Sequence, residues 1–366
     1  MKKSLIALAV AGSFAAPAFA ATSNVDVYGV MNVGVFSVES DVNNKDRSTS
    51  ITSNPSRIGF KGTEDLGGGL KAIWQIETGF AADEQTVDKG EIGNRNTFVG
   101  LSGGFGTVLA GKHDTPMKLL GRSVDNFGDT MADSRNLLGA GANNGKTMFD
   151  LRPDNVIAYI SPSFSGLTVI AAYVTDHGVS GGGGATFPAC ATGLDCNDKD
   201  AYSVSGTYAN GPLMLGLGYE RHNTLTGATN ASVDRSMWRL VGGYTIGDLK
   251  LGAQYENGSA DAALSTADRN GWGLFANYTM GAIVLKANYL SVGDYKNMND
   301  SGAKQYTLGA DYNLSKRTTV YALYAKVKND TNAGFGVGGG AGDTDSSLGN
   351  LNVDPSVFGV GVKHTF

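Results

Sequence analysis

The feature that most restricts what this chain can fold into is a two-residue alternation of apolar and polar side chains, recurring along most of its length. In "LKLGAQYE", Leu249, Leu251, Ala253 and Tyr255 fall on one face and Lys250, Gly252, Gln254 and Glu256 on the other, the period of a strand. The same division recurs in "QYTLGADYN" (305–313), with Asp311 on the polar face, and in "IVLKANY" (283–289), where Lys286 opposes Leu285 and Tyr289. "SMWRLVGGYT" sets Trp238, Leu240 and Tyr244 against Arg239. "LTVIAAYV" (167–174) alternates poorly and is read as a strand from its neighbours.

Connections between these segments come in two lengths. Tight turn signals fall at 64–69, 102–106, 162–166, 210–212, 246–248, 280–282 and 314–317, and longer polar stretches at 40–54, 81–92, 113–150, 177–199, 223–234, 257–268, 291–303 and 328–353. Short and long alternate strictly, so seven turns and eight loops join 16 strands, each near the ~9–11 residues that cross a bilayer at a tilt. A soluble sandwich or lipocalin-like barrel also alternates. Two features favour a membrane barrel instead. Apolar faces end in tyrosines (Tyr208, Tyr219, Tyr244, Tyr255, Tyr289, Tyr312), and short turns on one side with long loops on the other are the asymmetry of outer-membrane barrels. Turning Lys or Arg to lipid at mid-bilayer costs roughly 2–4 kcal/mol each, so Arg239, Lys250, Lys286 and Asp311 are expected to face inward. Sixteen strands leave a wet lumen where eight would fill with side chains.

The N-terminus supports export. "MKK" precedes the apolar run "SLIALAVAGSFAAPAFA", which ends in a small-x-small cleavage site, so residues 1–20 read as a signal peptide and 21–366 as a single barrel domain. Losing Lys2 and Lys3 takes the formal net charge from −5 to −7, against nucleic acid as a partner. Cys190 and Cys196 share a glycine-rich loop and, in an oxidising compartment, are expected to form a disulfide, two free thiols being the alternative.

"NVDVYGVMNVGVF", "SRIGFKGTEDLGGGLKAIWQIETGF", "RNTFVGLSGGFGTVLAGKHDTP" and the terminal "FGVGVKHTF" together resemble the trimeric general porins of Gram-negative bacteria, those of β-proteobacteria above all. The resemblance covers the whole mature chain. It implies an all-β, 16-stranded antiparallel transmembrane barrel in the outer membrane, its third loop folded into the lumen, passing ions and small hydrophilic solutes by passive diffusion. It also implies a homotrimer, contact with outer-membrane lipid and lipopolysaccharide, and Phe366 as the terminal signal read by the insertion machinery.

In such porins acidic residues of the third loop face arginines on the wall. The matching wall positions are Arg57, Arg95 and Arg152. Parity agrees in part: Ile58 and Phe60 take the lipid face, so Arg57 and Lys61 point inward, Arg95 opposes Phe98, and Glu77 shares the inward parity of Lys71. Candidates on the acidic side are Glu77 and the loop's Asp125, Asp129 and Asp133, with Asp114 at its root; "DNFGD" stands where enterobacterial porins carry Pro-Glu-Phe-Gly-Gly. The non-alternating stretch 113–145 is therefore read as the inward loop, helical around 115–121. A basic wall opposite acidic groups sets a transverse field that sorts solutes by charge, here with a weak anion preference.

Enzymatic chemistry finds little footing. "GLSGG" (100–104) and "GVSGG" (178–182) spell G-x-S-x-G, but neither has the strand, sharp turn and helix of a nucleophile elbow. "GANNGKT" is one residue short of a phosphate loop, and the four histidines lack ligand spacing, so no metal or cofactor is expected. The acidic loop "GDTDSSLGN" reads as solvated. The alternative is a barrel acting as a surface adhesin or hydrolase, which asks nothing of the lumen.

Overall fold

A computed structural model describes residues 24–40, 48–83, 92–139, 149–175, 200–223, 225–226, 231–232, 234–260, 268–338 and 350–366. The leader, the cysteine pair, "GVSGG", "GANNGKT" and residues 342–349 of the acidic loop lie outside these residues.

The strands are β1 (Asn24–Glu39), β2 in two pieces (Ser48–Ser53 and Ser56–Gly67), β3 (Leu70–Phe80), β4 (Thr97–Gly103), β5 (Gly106–Lys112), β6 (Val156–Ile160), β7 (Leu167–Val174) and β8 (Ala201–Asn210). Then follow β9 (Leu213–His222), β10 (Arg235–Ile246), β11 (Leu249–Ala260), β12 (Arg269–Met280), β13 (Ile283–Val292), β14 (Ala303–Asn313), β15 (Thr318–Asn329) and β16 (Ser356–Thr365). Each pairs antiparallel with the next, and β16 closes on β1 from Val30↔Thr365 to Glu39↔Ser356, giving a closed 16-stranded barrel. Closure satisfies every edge, the condition for spanning lipid with strands. Two-residue hairpins need left-handed backbone, which Gly247 (φ 56°) and Gly281 (φ 60°) supply at the β10–β11 and β12–β13 turns.

Boundaries differ from the sequence reading at several loops. Ser48–Ser53 was expected within a connection but pairs with Val33–Val38 of β1, and β2 breaks only at Asn54–Pro55. β11 likewise runs on to Ala260. Strand length is uneven too: β6 has five residues and β1 sixteen.

The outer face is apolar and bare, with Leu308 at 63% and Leu240 at 49% exposed. Its aromatic side chains stack in neighbouring pairs, Trp238 with Tyr255 at 5.2 Å and Tyr289 with Tyr306 at 5.1 Å between ring centroids. The inward faces of β9 to β14 carry glycines because the third loop lies against them. A Cβ on Gly216 would sit 2.4 Å from Leu120 Cδ1, and one on Gly309 2.6 Å from Phe127 Cε1. The loop's Leu120, Val124, Phe127, Met131 and Leu138 pack with inward Val241, Phe275 and Leu323 into an apolar core inside the barrel. Ala333, Phe335 and Val337, from the connection after β15, complete it.

Candidate pore constriction

The third loop begins at the end of β5 and forms α1 (Pro116–Arg122), where the sequence pattern placed a helix. Thr115 caps it, its Oγ1 accepting from Lys118 N at 3.3 Å, and Pro116 occupies the first turn, where its missing N–H costs nothing. The helix packs on β8, β9 and β10. A short 3-10 turn, Ser134–Asn136, follows and is capped by Asp133, which accepts from Arg135 N at 2.9 Å.

Three ionic nodes lie where the loop meets the wall. The first is on the wall itself. Glu77 of β3 accepts from Arg95 Nε at 2.5 Å and from Tyr28 Oη at 2.9 Å, and lies 4.0 Å from Arg57 Nε. Glu77 thus sits among the arginines, tying them together, and not opposite them. Arg95 reaches it across Gly79, where a Cβ would stand 3.2 Å from the Arg95 Cδ.

The second node is at the loop's root. Asp114 meets Arg152 Nε at 2.9 Å and Lys118 Nζ at 2.8 Å, and Asn96 links the node to the base of β4 by donating to Asp114 Oδ2 at 3.3 Å. Burial tends to raise the Asp114 carboxyl, but Lys118 and Arg152 hold it well below the usual carboxylate range. Burial and the neighbouring Arg152 and Arg135 pull Lys118 down to about 7, against the pull of Asp114.

The third node joins loop to wall. Asp129 accepts from Arg57 Nη1 at 3.1 Å and from Arg122 Nη2 at 2.7 Å. Arg122 also donates to Asp133 at 3.0 Å, and Arg135 binds Asp133 through Nε at 3.0 Å and Nη2 at 2.9 Å. Burial works against both aspartates, yet Arg122 with Arg57 holds Asp129 low and Arg122 with Arg135 holds Asp133 low.

The loop aspartates therefore divide. Among Asp125, Asp129 and Asp133, Asp129 alone touches a wall arginine, while Asp150 at the loop's far end holds Arg239. Asp133 is spent on the loop's own cations, and Asp125 turns inward, accepting from Phe127 N at 3.0 Å, Ser134 N at 3.1 Å and Ser134 Oγ at 2.9 Å. Burial, then the Asp133 charge, push the Asp125 carboxyl up to about 6. Of the acids expected opposite the arginines, Asp129 and the root Asp114 take that position, whereas Asp125 and Asp133 do not. Sequence reasoning passed over Lys118, Arg122 and Arg135, although three cations interleaved with aspartates over 118–135 signalled a loop that neutralises itself.

Arg239 also departs from its expected place. It points inward but is fully covered by the loop, binding Asp150 Oδ1 at 2.6 Å, Glu256 Oε2 at 2.7 Å and Met117 O at 2.9 Å. It anchors the loop and meets no lumen water. Lys286 faces inward, 2.8 Å from Asp311 and over the Phe127 ring. Lys61, Lys71 and Lys250 are exposed on inward parity, Lys61 lying 5.4 Å from the centre of the Tyr28 ring. Phe366 pairs its backbone with Gly29 at the closing seam. "GLSGG" forms the tip of the β4–β5 hairpin, where the Ser102 and Thr107 hydroxyls lie 2.9 Å apart.

Exposure gives the three nodes a sign. Arg122, Arg57 and Arg95 keep 27, 19 and 18% of their side-chain surface, with Arg135, Arg152 and Lys118 at 16, 12 and 7%, against 20% for Asp129, 13% for Asp114, 9% for Glu77 and none for Asp133. Cationic surface dominates what water can reach.

A Gram-negative porin family model matches residues 7–332. The chain is 31% identical to the "Outer membrane porin protein 32" of Delftia acidovorans over the full length of both. Among solved structures it resembles the "Anion-selective porin from Comamonas acidovorans", with 27% identity, a TM-score of 0.74 and 94% of this chain and 100% of that one covered. It also shares a fold with OmpT, an outer membrane protein of Vibrio cholerae solved in a trimer form, with 21% identity, a TM-score of 0.64 and 94% and 99% coverage. With its closed barrel, inward third loop and inward arginines, the chain belongs to the Gram-negative porins and is an outer-membrane channel for passive diffusion.

Proposed function

We propose that Arg57, Arg95, Arg152, Lys118, Arg122 and Arg135 form the charge filter of this channel and give it a weak preference for anions. The carrying observation is the excess of cations at the three nodes: these six cations, Arg122 the most exposed at 27%, stand against the four carboxylates Glu77, Asp114, Asp129 and Asp133, of which Glu77 and Asp133 are enclosed. A hydrated anion entering the narrow part meets cation edges already held in place by Glu77, Asp114, Asp129 and Asp133, so little reorganisation is needed to attract it. The name of the Comamonas relative points the same way.

The working unit is read as a homotrimer of a single barrel domain, residues 21–366, released from a leader at 1–20. Lipopolysaccharide and the insertion machinery are its other partners, the latter reading Phe366. The chain is read as non-enzymatic; an adhesin or hydrolase would leave the inward cation set without a use.

Reversal potentials in a salt gradient test the filter. An anion preference that weakens in Arg95→Ala supports it; clear cation preference, unchanged by that substitution, overturns it.

A further inference from the structure

The lipid-facing surface carries three lysines at one place. Lys304 of β14 and Lys328 of β15 are direct register partners, and Lys326 lies opposite Tyr306. All share parity with Tyr306, Leu308 and Tyr324, which are 43, 63 and 42% exposed, so they stand on the outer face. Both strands meet a long connection at this end, since Ala303 opens β14 and Asn329 closes β15. The long connections of such barrels are extracellular, which sets the lysines at the outer-leaflet headgroups.

Like charges directly across a strand pair repel. Lys112, Lys118, Lys286 and Lys296 each reach a carboxylate, whereas no ion pair forms to Lys304, Lys326 or Lys328 among the described residues. An anion from outside the chain can supply that partner.

Beside the lysines begins a shallow apolar groove of about 800 Å³, with the small residues Gly242, Ala253, Ala276 and Ala287 along it and Tyr306 at its end. One row of register partners runs from Gly242 through Ala253, Leu274, Tyr289 and Tyr306 to Lys326. Four strand spacings separate Gly242 from Tyr306, about 19 Å along a row that, with strands tilted about 45°, descends obliquely from the lysines through most of one leaflet of the ~30 Å hydrocarbon core. Charge and groove lie in the order of a lipid: anionic head, then tail.

We infer that Lys304, Lys326 and Lys328 bind a phosphate of a phosphorylated lipid in the outer leaflet, with one acyl chain lying in the groove across β10 to β14. This deepens the proposed lipid contact and rests on the outer-membrane placement of the barrel.

Native mass spectrometry of the full chain in mild detergent tests it, using bis-phosphorylated lipid A, the same lipid without phosphates, and inorganic phosphate. The phosphorylated lipid is expected to stay bound. Replacing Lys304→Gln, Lys326→Gln and Lys328→Gln together should weaken it about a hundredfold, with a similar loss on removing the lipid phosphates. Ala276→Leu keeps the charges and fills the groove, and should weaken the lipid severalfold. Equal retention by the triple variant, unchanged retention by Ala276→Leu, or full displacement by inorganic phosphate overturns the inference. Conductance, recorded alongside, separates the two readings: conducting channels that fail to hold lipid reject the lipid site alone, whereas unmodified chain that inserts without conducting rejects the channel.

Discussion

Asp129 accepts from Arg57 of the barrel wall at 3.1 Å, so an ion pair bridges the lumen-facing wall and the loop that crosses it. The same carboxylate holds Arg122 at 2.7 Å, and the two guanidinium groups share one counter-charge. Removing either side of the bridge therefore has opposite electrical outcomes.

Asp129→Asn leaves both arginines in place with less to neutralise them, and Arg57→Ser removes a cation. Anion-to-cation permeability should rise about two- to fivefold in the first and fall by a similar factor in the second, the scale of one unit charge a few ångströms from an ion in water. Reversal potentials under a tenfold salt gradient read the ratio.

Arg239→Met strands Asp150 and Glu256 beneath the loop as two buried carboxylates without a counter-charge. Breaking a buried pair this way costs about 3–5 kcal/mol. Heating in detergent should melt the variant earlier, and its open-channel current should become noisier as the loop loses its anchor. A quiet channel with unchanged melting would show that the triad holds nothing.

Gly216 and Leu120 form a separable pair, because Leu120 Cδ1 is the one atom close to a Cβ at Gly216, at 2.4 Å, and the next lies at 3.6 Å. Gly216→Val should push α1 off the wall and cost about 1–3 kcal/mol. Leu120→Ala in the same chain should recover most of that loss, a coupling measured by the double-mutant cycle in thermal melting.

Acidity should tune the filter through the loop. Lys118, pulled down to about 7, gives up its charge as pH rises through neutrality, and Asp125, pushed up to about 6, gains its charge as pH rises through 6. Both changes remove positive charge, so anion preference should be stronger at pH 5.5 than at pH 8.5. Lys118→Met should abolish the step near 7 and Asp125→Asn the step near 6. The stability signs follow from the same shifts. The raised Asp125 carboxyl favours the folded state below its ordinary value of 3.8, and that advantage is lost as pH rises through about 6; the lowered Lys118 penalises the folded state below about 7 and ceases to do so as pH rises above its ordinary 10.5. Melting curves across pH 4 to 8 follow the first of these.

Much of this molecule is legible in the sequence because a strand's parity is rigid. Once Phe60 is assigned to lipid, Arg57 and Lys61 have one direction left, and once Leu240 faces out, Arg239 must face in. Parity names a side of the wall but not what covers it, which is why Arg239 reads as lumen-lining while lying under the loop. Ser48–Ser53 escaped notice because "STSITS" has one apolar residue, Ile51, and pairs through its backbone. The loop resists such reading for a further reason. Its partners are fixed by folding back on itself, so Asp133 finds Arg122 and Arg135, which no period relates.

The pairing of β1 with β16 has a consequence for how the molecule comes into being. Its first and last strands are sequence-distant neighbours, and Tyr321 reaches Asn32 and Asn54 across nearly the whole sequence. Contacts of such span are slow to form. Until the seam shuts, two open edges face the bilayer, and a chain ending before Ser356 keeps them for good. The barrel loses its last open edge only with Ser356–Thr365 in place, so the end of the chain, and not any one inner segment, makes it fit to stand in lipid.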